Sequence, residues 1–211
     1  MSENKRAYFS LKCIPETSFR YNENHCSDLF RKTKMREVDG GRTKLNEVWH
    51  RGYNADGSPR SLKSYYDEVI SNYQKKYGQR MQEKGRCRVI GVAFVTIKED
   101  NSLEDLKRLG ATLQSKFGWT CIQVHIHRDE KYSERSQLYN LHAHLFFVLT
   151  NRSTCKSWKK GREDYKLMRE LASQILGLEM SEENEEVDQN DGNESKPSKG
   201  IMERLKGFLK L

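Results

Sequence analysis

The sequence predicts an α+β fold, a largely antiparallel sheet with flanking helices, and three observations lead there. Short stretches alternate apolar and polar residues with the period of a strand, or run apolar over strand length. Longer stretches carry apolar residues at helical spacing. The elements follow in the order strand, long polar loop, helix, strand, helix, strand, strand, helix, which suits helices packed on a sheet of antiparallel strands.

Ala7 to Cys13 alternates Ala, Phe, Leu and Cys with Tyr, Ser and Lys, as a half-buried strand does. Thr17 to Asp56 is polar, contains Gly40-Gly41 and has little periodicity, which predicts mainly loop with some helix around Cys26 to Lys34. From Ser61 onward, Leu62, Tyr66, Val69, Tyr73 and Tyr77 recur at helical spacing, and Pro59 just ahead suits a helix start. Arg88 to Ile97 is a nearly continuous apolar run of strand length. Leu103, Leu106, Leu109, Leu113 and Phe117 form a helical stripe with Ser102 as N-cap. Trp119 to His127 and Leu141 to Leu149 read as two further strands, and Arg162 to Leu176 as a last helix with Tyr165, Met168, Leu171 and Ile175 on one face.

Residues 1–178 therefore form the predicted domain. Residues 179–200 are acidic and polar and predict a disordered linker. Residues 201–211 spell a short amphipathic helix or tail, too short to be stable alone.

The charge is uneven. The chain carries a net +8, but eight carboxylates and no Lys or Arg fall between Glu179 and Glu194, which leaves +16 on the rest. A body this basic suits a polyanionic partner, nucleic acid being the commonest, although a solvated lysine-rich surface gives the same count. The five cysteines form no C-x-x-C pair, and no signal peptide precedes them, so a reduced cytoplasmic compartment is expected. No apolar run approaches the roughly 18 residues that span a bilayer, so no membrane insertion is expected.

The histidines carry the chemistry. Within the first of the two late strands, Gln123, His125 and His127 share a face opposite Ile122, Val124 and Ile126; in the next, His142, His144 and Phe146 share a face. Paired as a hairpin, the two strands crowd four imidazoles onto one patch. Two nitrogens from a His-x-His and a third from the neighbouring strand make a facial set for a divalent metal with open positions. The competing reading is four half-buried, hydrogen-bonded histidines. No cysteine stands at a suitable spacing for a closed structural zinc site, so an open catalytic site is favoured.

His127-Arg128-Asp129-Glu130 followed by His142-Ala143-His144 resembles the H-x-D-E…H-x-H signature of the MobV (Mob/Pre) plasmid mobilisation relaxases of the HUH endonuclease superfamily. Phe19-Arg20-Tyr21-Asn22-Glu23 resembles that family's F-K-H-N-E-type segment, and Gly41-Arg42-Thr43-Lys44-Leu45-Asn46 its S-R-x-x-L-N segment. The resemblance spans residues 7 to 177 and implies an HUH-endonuclease-like fold. It implies an enzyme that nicks one DNA strand at a transfer origin of a plasmid or mobile element, leaving a side chain joined to the 5′ phosphate. The implied metal is Mn or Mg, held by His127, His142 and His144; Glu130 would orient a ligand or act as base, with His125 and Asp129 standing behind the ligands. Tyr21 occupies the position of the family's motif histidine and is the first candidate nucleophile, with His25, four residues on, as the alternative. Eleven residues without proline, Lys131 to Leu141, separate the two halves of the signature, more than the family usually has.

Arg20, Asn22, Arg42, Lys44 and Asn46 are candidate DNA contacts, with a solvated basic loop as the competing reading. Arg31, Lys32, Lys34 and Arg36 add to the basic cluster, and Trp49, His50 and Tyr53 are candidates either for stacking on unpaired bases or for the core. The implied partner is single-stranded or supercoiled origin-of-transfer DNA, with accessory mobilisation or conjugation proteins beside it, in the bacterial cytoplasm. The alternatives are a rolling-circle replication initiator of the same superfamily and a non-catalytic nucleic-acid-binding module. The latter accounts for the charge but not for the aligned histidines.

Overall fold

Five strands pair entirely antiparallel into one sheet of order β1-β3-β5-β4-β2: β1 (Phe9–Cys13), β2 (Glu47–His50), β3 (Ile90–Thr96), β4 (Thr120–His127) and β5 (His142–Val148). The computed structural model describes residues 8–27, 31, 35, 37–157 and 161–179. The helices are α1 (Phe19–Cys26), α2 (Leu62–Tyr77), the single-turn α3 (Glu83–Arg86), α4 (Leu103–Phe117) and α5 (Arg162–Leu176). The predicted α+β class with a largely antiparallel sheet is the observed one.

The period-two alternation of β3, β4 and β5 divides the core into two layers. Ala93, Val95, Val124, Ile126, Ala143, Leu145 and Phe147 point to one side and bury the apolar stripes of α4 and α5, namely Leu106, Leu109, Leu113, Met168, Ala172 and Leu176. Close contact there needs Gly110, where a Cβ would stand 2.7 Å from the Cys121 sulfur. The other side carries Ile90, Phe146 and Val148, covered by Phe19 of α1 and by Leu62, Tyr65 and Tyr66 of α2. At the His127–His142 end of the sheet this apolar cover gives way to polar side chains, although His127 and His142 are themselves buried.

Strict alternation fails at one place. Cys121 pairs with Phe147 and Gln123 with Phe146, so Ile122 is a bulge residue in β4. The simple reading puts Ile122 on the face of Val124 and Ile126. The extra residue turns it instead to the side of Phe146 and Val148, and Cys121 takes its place in the first layer.

The long polar stretch is less irregular than its composition suggests. It contains α1, which buries Phe19 and Cys26, and the four-residue edge strand β2. The helix expected around Cys26 to Lys34 falls largely on residues outside those described. So do the readings for residues 180–211, and Lys32, Lys34 and Arg36. Among the described residues no helix is long and apolar enough to cross a membrane.

Local signals act where the sequence places them. Ser102 caps α4 in a reciprocal box: its hydroxyl accepts from the Asp105 amide at 3.2 Å and the Asp105 carboxylate accepts from the Ser102 amide at 2.9 Å. Gly118 ends the helix in the left-handed conformation at φ 71°. Because α4 carries three fully buried leucines, fraying its first turn loosens the layer beneath. Ser102→Ala should cost about 1 kcal/mol and lower the thermal midpoint by about 2–4 °C, whereas Ser102→Asp should hold it; calorimetry of the two variants checks this.

Candidate metal centre

The antiparallel register sets His127 opposite His142 and His125 opposite His144. Facing residues of antiparallel strands lie on the same side of the sheet, so the two His-x-His pairs share a surface. α1 then brings His25 over that surface. The ring centroids of His142 and His144 are 5.0 Å apart, those of His127 lie 5.2 Å from His142 and 5.3 Å from His144, and His25 lies 5.2 Å from His144 and 5.9 Å from His127. Phe94 of β3 stacks on His142 at 4.7 Å and closes the patch from the side.

The quartet differs from the one expected. His125, expected among four clustered imidazoles and as a group behind the ligands, packs against His50 at 5.4 Å and Phe146 at 5.8 Å, and its Nε2 lies 3.2 Å from the Gln123 side-chain oxygen. His25 takes its place, because its helix lies across the sheet face rather than in a loop. The ligand atoms that converge most closely, all within 4.8 Å of one another, belong to His25, His142 and His144. His127 adjoins them through its ring contacts.

These residues fit a divalent cation on two grounds. Both ring nitrogens of His127 and Nε2 of His144 are buried without a hydrogen-bond partner, a cost that a bound cation would remove. His142 Nδ1 lies 2.7 Å from the Asn140 carbonyl, which makes that nitrogen the donor and leaves Nε2 as the lone-pair face. Burial also favours the neutral form of three of these imidazoles, as ligands must be neutral. It holds His127 and His144 well below the ordinary histidine value, and it draws His25 down to about 4 against the opposing pull of Glu130.

Glu130 and Asp129 diverge from one strand end. Glu130 Oε2 lies 3.8 Å from His142 Nε2 and accepts from Arg31 Nη1 at 3.3 Å. Burial pushes its carboxyl above the ordinary value, opposed chiefly by the Arg31 charge. Asp129 is fully buried and bound on both oxygens, to Arg31 Nη2 at 2.6 Å and Asn46 Nδ2 at 2.9 Å. Arg31 belongs to the basic cluster expected to grip phosphate. It is instead completely buried, because two adjacent carboxylates offer its planar fork a better partner than solvent.

The remaining expected residues divide by what they already hold. Tyr21 is 46% exposed and sits one helical turn before His25, on the same face of α1. Burial, then the nearby Glu130 charge, raises its phenol above the ordinary value. Arg20 and Lys44 are exposed. Asn46, expected on DNA, spends its amide on Asp129 and its carbonyl oxygen on the Arg128 amide at 2.8 Å, so it braces the D-E segment. Arg42 is held by the Arg128 carbonyl at 2.9 Å and by Glu99 at 2.8 Å, and stacks 4.1 Å over the Tyr139 ring. Asn22 Nδ2 donates to the Ser18 carbonyl. Trp49 packs against the first core layer, His50 against His125, and Tyr53 is exposed. Sequence reasoning missed the burial of Arg31; its signal, a lone pairing with Asp129-Glu130 ninety-eight positions on, has no local pattern.

No family model and no curated protein sequence matches the chain. Solved structures do match. The antiparallel sheet and the helices over it form a fold like that of a relaxase domain. The particular likeness is to the MobM relaxase domain (MOBV; Mob_Pre) bound to plasmid pMV158 oriT DNA of 22 nucleotides, in a Mn-bound crystal at pH 4.6. The TM-score is 0.59 at 13% identity, over 95% of this chain and 100% of that one. The same domain with a 3′-thiophosphate DNA, Mn-bound at pH 6.8, gives a TM-score of 0.60 at 13% identity, over 95% of this chain and 98% of that one.

The buried Arg31 is a test of this arrangement. Arg31→Met leaves Asp129 and part of Glu130 without a counter-charge inside the protein, and should cost about 3–5 kcal/mol. Denaturant unfolding reads this directly; an unchanged midpoint would contradict the buried ion pair.

Proposed function

We propose that the chain is a metal-dependent relaxase that nicks a single strand of DNA at a transfer origin and remains joined to the 5′ phosphate. The observation that carries this reading is the convergence of His25, His127, His142 and His144 beside Glu130 and Tyr21 on a fold of the MobM type, whose solved complexes contain oriT DNA and Mn. The basic body supports a DNA partner. A binding module has no use for His127 and His144 nitrogens buried without a hydrogen-bond partner beside a carboxylate.

His127, His142 and His144 would hold the cation, with His25 adjoining them on the open side. The cation, Mn or Mg, would polarise the scissile phosphate. Tyr21 stands at the mouth, exposed to an incoming strand. Its raised phenol is not ionised beforehand, so attack needs a base, and Glu130 is the carboxylate whose charge it feels. The Tyr21 oxygen forms a bond to phosphorus as the bond from phosphorus to the 3′ oxygen breaks. The phenolic proton passes to Glu130, and the departing 3′ oxygen takes a proton from solvent. Arg31 keeps Glu130 in place from behind. The reverse attack by the 3′ hydroxyl reseals the strand.

His25 gives this reading a second form. Its place in the quartet suits either a ligand or the nucleophile itself. Three variants separate the possibilities. With Tyr21 as nucleophile, Tyr21→Phe binds Mn and DNA normally and forms no covalent adduct. With His25 as nucleophile, His25→Ala alone loses the adduct while Mn binding is kept; with His25 as ligand, it loses Mn affinity by about 10–100-fold. His142→Ala or His144→Ala should abolish nicking while leaving most DNA affinity, since phosphate contacts come from basic side chains. Full cleavage by a His142→Ala/His144→Ala protein in excess chelator would defeat the metal assignment.

The proposed nuclease domain is residues 1–178, with residues 179–200 as an acidic linker. Leu178 is the last buried apolar residue of the described chain, and the Ser173 hydroxyl donates to its carbonyl at 2.5 Å. Ending the chain after Glu179 should leave a folded protein that binds non-specific DNA more tightly at low salt, because like charge is removed. Unfolding of the shortened chain would place the boundary elsewhere.

A further inference from the structure

The second face of the sheet carries another concavity at its far end. A cavity of about 470 Å³ lies between α2, the end of β4 and the turn after β5. Three arginines from separate parts of the chain border it: Arg51 after β2, Arg60 before α2 and Arg152 after β5. Glu68 is the only carboxylate among the described residues that line it, so the rim has an excess of positive charge.

Each guanidinium is positioned. Arg51 is anchored by the Cys121 carbonyl at 2.7 Å and Gln114 at 2.9 Å. Arg60 stacks 4.2 Å over the Tyr65 ring and pairs with Glu68 at 2.7 Å. Arg152 gives its Nε to the Thr120 hydroxyl at 3.0 Å, and the turn that presents it is fixed by Asn151, whose side-chain oxygen accepts the Ser153 and Thr154 amides. The Tyr65 hydroxyl also lines the cavity. It is buried against Gly52 and makes no hydrogen bond of normal geometry among the described residues. Planar forks held in place beside a buried hydroxyl suit a tetrahedral oxyanion.

We propose that this pocket is a second phosphate-binding site, taking a backbone phosphate of the strand that enters the metal centre. Naming DNA as the source of the phosphate rests on the relaxase reading above. The geometry suits it: Thr120 and His127 are the two ends of β4, so the pocket and the imidazoles lie about 23 Å apart at ~3.3 Å per residue, with α1 and α2 covering the sheet between them. A strand at ~3.4 Å per nucleotide passing over those helices needs at least about seven nucleotides to reach both. The site would fix how the strand lies across the sheet without reading its bases.

The test uses the full chain and a twenty-nucleotide oligodeoxythymidylate, with affinity followed across a salt series. Losing one phosphate contact should lower the slope of log K against log salt by about 0.7. Arg152→Gln should show that loss together with a several-fold weaker affinity, and Arg152→Lys should restore most of the slope. Lys166→Gln, an exposed lysine of α5 on the opposite face, removes the same charge and should leave the slope within error. Equal effects of Arg152→Gln and Lys166→Gln would reduce the pocket to net charge and overturn the proposal. Inorganic phosphate that stabilises the wild type in an Arg152-dependent way, with an unchanged DNA slope, would also overturn it in favour of a free-phosphate site. Adduct formation is scored separately, with Mn and DNA that carries a transfer origin. A protein that shows the Arg152-dependent slope but never forms an adduct loses the relaxase reading and keeps the pocket; one that forms the adduct with an unchanged slope loses only the pocket.

Discussion

The register between β4 and β5 is the constraint on which the site depends. A sheet with side chains of period two allows no partial error: sliding either strand by one residue would send its histidines into the layer beneath α4 and α5 and its valines and leucines to the metal face. Burial of Val124, Ile126, Ala143 and Leu145 therefore sets the chemistry indirectly. The energy that fixes the register is apolar, and the imidazoles take their positions from it. The bulge at Ile122 belongs to the same design, because it lets β4 bury both faces at its far end while keeping its histidines in phase with β5 at the other.

A second layer of organisation comes from the segment around residues 37–46, which pairs with the strand extension beyond His127. Val38 bridges Glu130, the Asp39 amide donates to the Asp129 carbonyl at 2.8 Å, and the Lys131 amide to the Glu37 carbonyl at 2.9 Å. Asn46 and Arg31 then converge on Asp129 from separate parts of the polar region. A buried, fully bonded carboxylate of this kind is a rigid hinge pin for its neighbour. Asp129 is thus what lets Glu130 project toward His142 with little freedom.

Most of the sheet and its larger helices could be read from the sequence, since apolar period and capping residues act locally. Ser102, Leu109 and the His-x-His of β5 are examples in which residue type and spacing alone lead to the observed place. What could not be read shares one physical cause: it is fixed by distant partners. α1 buries only Phe19 and Cys26, too few for a stripe, and β2 is an edge strand of four residues whose order comes from pairing with β4. Arg31 looks like part of a basic run until two carboxylates from another strand claim it. The sequence offers His25 as an alternative nucleophile, but its neighbourhood with three other imidazoles follows from where α1 lies. Asn46 sits in a motif that the resemblance gave to DNA, and the structure spends both ends of its amide internally.

The eleven-residue stretch from Lys131 to Leu141 is pinned at its base. The Asn140 amide donates to the Glu130 carbonyl at 2.7 Å, Lys131 bridges Tyr139, and the Tyr139 hydroxyl donates to Asp39 at 2.6 Å. Everything beyond that clasp is mechanically insulated from the histidines. Doubling such an excursion costs only about 0.6 kcal/mol in closure entropy, so drift in its length over evolutionary time would leave the chemistry untouched. The tip is accordingly where this architecture can diversify freely, and where a reporter group or a foreign peptide could be grafted within reach of an approaching strand without disturbing the hearth below.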